Sequence, residues 1–220
     1  DGGGPEVVLT YSFPTVGAPW AANYGSFTGE NYSASFVPLT LFQQTAIEAA
    51  LAQFADVANI TFIKLASETT SSVGDMRFGQ TTFANPDVLA AGLFPLASSQ
   101  PEGGDVWLSK GIFDGTIAYG DFNRSDASSG SDVLWALMHE IGHALGLKHP
   151  HESFTIYTPY PSGPATSDDW WGNTIMSYRS HPGDATSEGV NDYSGISPQT
   201  LMLRDIAAIQ YLYGANTSTR

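Results

Sequence analysis

Three histidines and a glutamate stand at spacings that suit a metal centre: His139, Glu140, His143 and His149, within HEIGHALGLKH. His139 and His143 are four residues apart, so on a helix both imidazoles project from the same side. At 100° per residue they fall opposite the stripe of Leu134, Leu137, Met138, Ile141 and Leu145, a face expected to border an open cleft. A straight helix cannot bring position 149 to the same ion. Gly146 permits a sharp turn there, so that His149 swings back from below. Three neutral imidazoles leave at least one position on zinc for water, which separates a catalytic site from a structural one. Glu140, beside the first ligand, then suits a general base to the zinc-bound water better than a fourth ligand. One catalytic Zn2+ is the expected cofactor. A purely structural zinc site is the competing reading.

The elements that must position these residues follow from periodicity. Val7, Leu9, Tyr11 and Phe13 alternate with Val8, Thr10 and Ser12, the pattern of a strand with one buried face. Gly17 to Pro38 is turn-rich and aromatic. Thr40 and Gln43 form a capping box ahead of Ile47, Ala50, Leu51, Phe54 and Val57, which predicts an amphipathic helix over 41–58. Further strands are predicted at 60–65, 76–78, 88–94 and 106–109. The one at 88–94 contains Gly92 and ends at Pro95, features that belong at a sheet edge. The metal-binding helix is expected over 131–145 with Gly146 as its stop. An irregular stretch, 147–196, precedes a last helix over 198–213, with Ser197 as cap and Gly214 as stop.

Composition bounds the rest. The chain has 220 residues, enough for one domain with a sizeable core. Eight basic against 22 acidic side chains give a net charge of −14, which argues against nucleic acid or an anionic membrane as partner. Cys is absent, which excludes disulfides, Cys-ligated metals and thiol nucleophiles. The longest apolar run, 88–96, is too short to span a bilayer. The chain begins at Asp1 without Met, as a processed or trimmed product would.

The string from His139 to Pro150 matches the extended motif of the metzincin metallopeptidases. With Met176-Ser177-Tyr178 and DIAAIQYLYGAN near the end, the chain resembles the protease domain of the serralysins, bacterial alkaline metalloproteases. The resemblance implies that Met176 forms the Met-turn beneath the three histidines. It implies that Tyr178 is an extra, longer-range zinc ligand that swings off to hydrogen-bond the oxyanion. LAAGLFPLA is similar to the edge strand lining the metzincin cleft, so Ala91, Gly92, Leu93 and Phe94 are candidate substrate-binding residues. An unpaired edge can take an extended peptide as one more strand. The family's glycine-rich calcium-binding roll is not seen in this sequence, and the residues between His149 and Met176, which usually shape the pocket beyond the scissile bond, are individual. His151 reads as a solvated loop residue or as part of a second, inhibitory zinc site, and His181 as a loop residue. The acidic loops at 121–132 and 183–192 read as solvated or as Ca2+ sites, without a regular ligand pattern.

The expectation is therefore an α+β domain of metzincin type over 1–220. Its upper part, 1–149, carries a twisted mixed five-stranded sheet and long helices above a cleft. Its smaller irregular lower part, 150–220, carries the Met-turn and a C-terminal helix. The expected activity is that of a secreted, monomeric zinc endopeptidase acting on extended protein or peptide substrates. The alternative is a non-catalytic, zinc-stabilised peptide-binding or adhesion module.

Overall fold

A computed structural model describes residues 6–26, 28–95, 100–110, 132–152, 167–179, 182 and 197–218. The strands are β1 (Val7–Ser12), β2 (Ile60–Lys64), β3 (Met76–Thr81), β4 (Ala90–Gly92) and β5 (Val106–Ser109). The helices whose full extent lies among the described residues are α1 (Leu41–Val57), α2 (Asp132–Ala144) and α3 (Leu203–Tyr213), with a short 3-10 turn at Tyr32–Ser35. The five strands form one sheet in the order β2-β1-β3-β5-β4. β1, β2, β3 and β5 run parallel, and β4 is antiparallel to β5 at the edge. The fold is thus the expected α+β arrangement on a mixed five-stranded sheet.

Helix α1 starts where the capping box places it. Thr40 Oγ1 accepts the Gln43 N–H at 3.3 Å, and Gln43 Oε1 accepts the Thr40 N–H at 2.7 Å. The apolar face of α1 (Ile47, Ala50, Leu51, Phe54) joins Phe78, Val106 and Leu108 of the sheet and Leu137, Met138, Ile141 and Leu145 of α2 in one core. Trp171, Ile175, Met176 and Ile209 belong to the same core, which continues past the turn at Gly146 into the C-terminal part. Trp107 points to the opposite face of the sheet, as the period of two requires. There it packs with Tyr24, Phe83 and Leu93, and the aromatic segment before α1 adds Trp20, Tyr32 and Phe36. No helix among the described residues is long and apolar enough to cross a membrane.

Two elements differ from their predicted extents. β4 spans three residues, not 88–94. Val88 donates back to Asn85 O in a turn at one end, while Leu93 bonds Asp105 O and Gly104 N at the other. The last helix begins at Leu203, not at Pro198. Its N-cap is Met202, whose N–H donates to Asp205 Oδ2 at 2.8 Å, and the Arg204 N–H donates to Asn173 O. A carboxylate in the first turn satisfies an orphan donor and complements the helix dipole better than the Ser197 hydroxyl would.

Asp205 also accepts the Thr174 hydroxyl at 2.6 Å and the Ile175 N–H at 2.9 Å, and it is 1% exposed. One carboxylate thus ties the start of α3 to the loop at 174–175. Replacing Asp205 with Ala leaves these donors without their acceptor in the interior. The expected loss is about 3–5 kcal/mol of unfolding free energy, read by urea denaturation; a loss below about 1 kcal/mol would contradict this role.

Candidate metal centre

Helix α2 places His139 and His143 one turn apart, and Gly146 ends it with φ 99°. The Gly146 N–H donates to His143 O and the Leu147 N–H to Gly142 O, the paired bonds of a Schellman stop. Beyond the stop, His149 returns to the helix as the spacing predicts. The three Nε2 atoms form a near-equilateral triangle with separations of 3.1, 3.1 and 3.0 Å. All three rings are buried, with 1%, 5% and 3% exposure in chain order. Trp135 and the 174–178 segment pack against His139, and Phe94 packs against His143.

The second ring nitrogens explain the triangle. His139 Nδ1 lies 2.8 Å from Ile175 O, and His143 Nδ1 lies 2.9 Å from Leu147 O. His149 Nδ1 lies 2.9 Å from Glu152 Oε1. Carbonyl and carboxylate oxygens only accept, so each Nδ1 carries the proton and each Nε2 presents a lone pair. Three lone pairs aimed at one point repel unless a cation lies among them. Donors about 2.0–2.1 Å from one zinc ion stand only slightly farther apart than these three. Burial lowers the pKa of His139 well below its ordinary value, that of His143 to about 3 and that of His149 to about 2. Neutral imidazole is the ligand form, so the donor set fits zinc.

Glu140 sits on α2 beside the triangle. Its Oε2 accepts the Gly92 N–H at 2.6 Å, which ties the side chain to β4. Burial pushes its carboxyl up to about 7, opposed by that hydrogen bond. The contact between β4 and α2 needs glycine, because a Cβ at position 92 would lie 2.0 Å from the Glu140 carbonyl oxygen. Ala90 and Gly92 turn their peptide groups away from β5, where the Gly92 N–H meets Glu140, whereas Leu89 and Leu93 bond inward to 109 and 104–105. The Leu93 side chain is buried against Trp107, and the Phe94 ring meets the His143 ring edge-on at 5.3 Å. Of the four candidate substrate residues, Gly92 and Phe94 therefore reach the site, while Leu93 and its neighbour Ala91 hold the strand to the sheet.

Met176 is buried, its thioether against Gly142 of α2. The Tyr178 ring lies 4.8 Å from the His149 ring and 5.3 Å from the His139 ring. His151 is not a lone solvated residue: its ring stacks on His149 at 5.0 Å and 10°. Two contributors were not anticipated. Glu152 backs His149, a carboxylate–histidine pair that orients the ligand and raises its basicity. Asp205 holds the loop whose Ile175 carbonyl orients His139. A Glu three residues past His149 was a local signal that spacing could have used; Asp205 carried none. His181, the acidic loops considered for Ca2+ (121–131 and 183–192) and most of the pocket-shaping segment, 153–166, lie outside the described residues.

Comparison with known proteins agrees with this geometry. A family model described as Matrixin matches residues 26–169, and one described as Met-zincin matches residues 122–219. Metallopeptidase AprA of Pseudomonas marginalis is 30% identical over 230 residues, covering 100% of this chain and 42% of its own length. A serralysin of Photorhabdus sp. (strain Az29) is 29% identical over 220 residues, covering 96% and 39%. Serralysin A of Dickeya chrysanthemi is 30% identical over 188 residues, covering 84% and 35%. The chain thus spans about two fifths of the length of these curated relatives. With a matching family model over most of the fold and a buried three-histidine centre, the chain belongs to the matrixin family as a serralysin-like metzincin protease domain.

Proposed function

We propose that this chain is the catalytic domain of a secreted zinc endopeptidase that hydrolyses peptide bonds in extended protein substrates. The observation that supports it best is the triangle of unprotonated nitrogens with a carboxylate held beside it on an edge strand. His139, His143 and His149 hold the metal, and Tyr178 approaches it at longer range. Zinc bound there supplies a Lewis acid and lowers the pKa of a coordinated water toward neutrality.

The chain's own residues do the rest. Substrate lies along the outer edge of β4, met by the peptide group of Ala90, the Gly92 carbonyl and the Phe94 ring. Ala91 and Leu93 shape that edge from behind. Glu140 takes a proton from the attacking water and delivers it to the leaving amine, and the Gly92 N–H keeps its carboxylate aimed. The Tyr178 hydroxyl donates to the oxyanion of the tetrahedral species. Met176 supports the three rings from below. The upper part, 1–149, and the lower part, 150–220, then form the two walls of the cleft. The domain acts as a monomer, and its −14 charge is consistent with a soluble protein working outside the cell.

Replacing Glu140 with Ala should retain zinc, measured by metal analysis, while casein cleavage falls by about 10²–10⁴-fold. A zinc-loaded variant that cleaves at the original rate would refute the base assignment, and chelator-insensitive cleavage by the parent would refute the metal. Replacing Tyr178 with Phe should give folded, zinc-loaded protein with turnover reduced by about 10²-fold or more; undiminished turnover would remove the hydroxyl from the reaction.

A further inference from the structure

Tyr178 is held from both sides by one carboxylate. Ser177 Oγ donates to Asp169 Oδ1 at 2.7 Å, and Arg179 Nε donates to Asp169 Oδ2 at 3.0 Å. The Arg179 N–H closes the ring by donating to Ser177 Oγ at 3.0 Å. Trp171 repeats the bracket on the backbone: its indole N–H donates to Ser177 O and its peptide N–H to Arg179 O, each at 2.8 Å. Asp169, Ser177 and Arg179 are at most 2% exposed. A buried ion pair carries a desolvation penalty that well-packed apolar residues would avoid, so its contribution is sought in geometry more than in stability.

The geometry points to Asp169 as a positioning residue for Tyr178. The Ser177 Oγ that Asp169 anchors accepts the Arg179 N–H and so fixes the 178–179 peptide plane, while the Trp171 indole on Ser177 O fixes the 177–178 plane; together they set the direction of the Tyr178 Cα–Cβ bond. That direction decides where the phenol oxygen falls beside the rings of His149 and His139. Asp169 does not need to touch substrate or metal to matter; it acts through the tyrosine. This inference rests on the reading of Tyr178 as the oxyanion donor.

A double-mutant cycle on the zinc-loaded domain tests it, with Asp169→Asn, Tyr178→Phe and the pair measured on one peptide substrate. The expected result for Asp169→Asn is kcat lower by about 10- to 100-fold, with KM and the zinc Kd from chelator competition each within about twofold of the parent. In the Tyr178→Phe background the same substitution should cost nothing further. Ser177→Ala removes the hydroxyl that joins both sides of the bracket. It should give a smaller loss with the same dependence on Tyr178, and it serves the cycle if Asp169→Asn does not fold. Multiplicative losses in the double variant, or a zinc Kd that weakens along with kcat, would overturn the positioning role while leaving the Tyr178 reading intact. Full turnover by Tyr178→Phe alone would overturn both.

Discussion

The structure depends on three ring N–H groups having acceptors. A histidine can present a lone pair at Nε2 only if its proton sits on Nδ1, and here each Nδ1 is matched to an oxygen. Those oxygens come from three different pieces of chain: Ile175 O from the segment before α3, Leu147 O from the stop of α2, and Glu152 from the segment after His149. The metal-binding geometry is therefore as much a property of these connections as of the helix that carries the motif. The turn that ends α2 does two jobs, because the residue closing the Schellman bonds also supplies the carbonyl that orients His143.

Buried carboxylates extend the same logic outward. Asp205 secures the 174–175 segment and caps α3, so the Ile175 carbonyl faces His139 only while the C-terminal helix is in place. Asp169 does the corresponding work two residues further along, on either side of Tyr178. On the opposite wall, the close approach of β4 to α2 brings the Gly92 N–H within reach of Glu140. Helix, edge strand and the 174–179 segment are thus joined by short polar links between different segments of the chain.

What could be read in advance had local causes. The four-residue spacing of His139 and His143, the glycine at 146 and the capping box at Thr40 each act over a few residues, and each is where spacing places it. The edge position of β4 followed from Gly92 and Pro95. What could not be read depends on contacts between distant segments. The histidine face of α2 is polar by sequence, yet a loop some 35 residues later packs against it. Helix α3 starts late because its first-turn N–H groups are met by Asp205 and Asn173 instead of Ser197. Asp169 has no periodic or motif signal; only the fold brings it to the Ser177 and Arg179 side chains that flank Tyr178.

The most direct test is the coordination shell itself. X-ray absorption on protein loaded with one equivalent of zinc should show three imidazole nitrogens and at least one exchangeable light-atom ligand, all at about 2.0–2.2 Å. Fewer than three imidazoles, or a fourth protein ligand that closes the shell at the same short distance, would contradict the account.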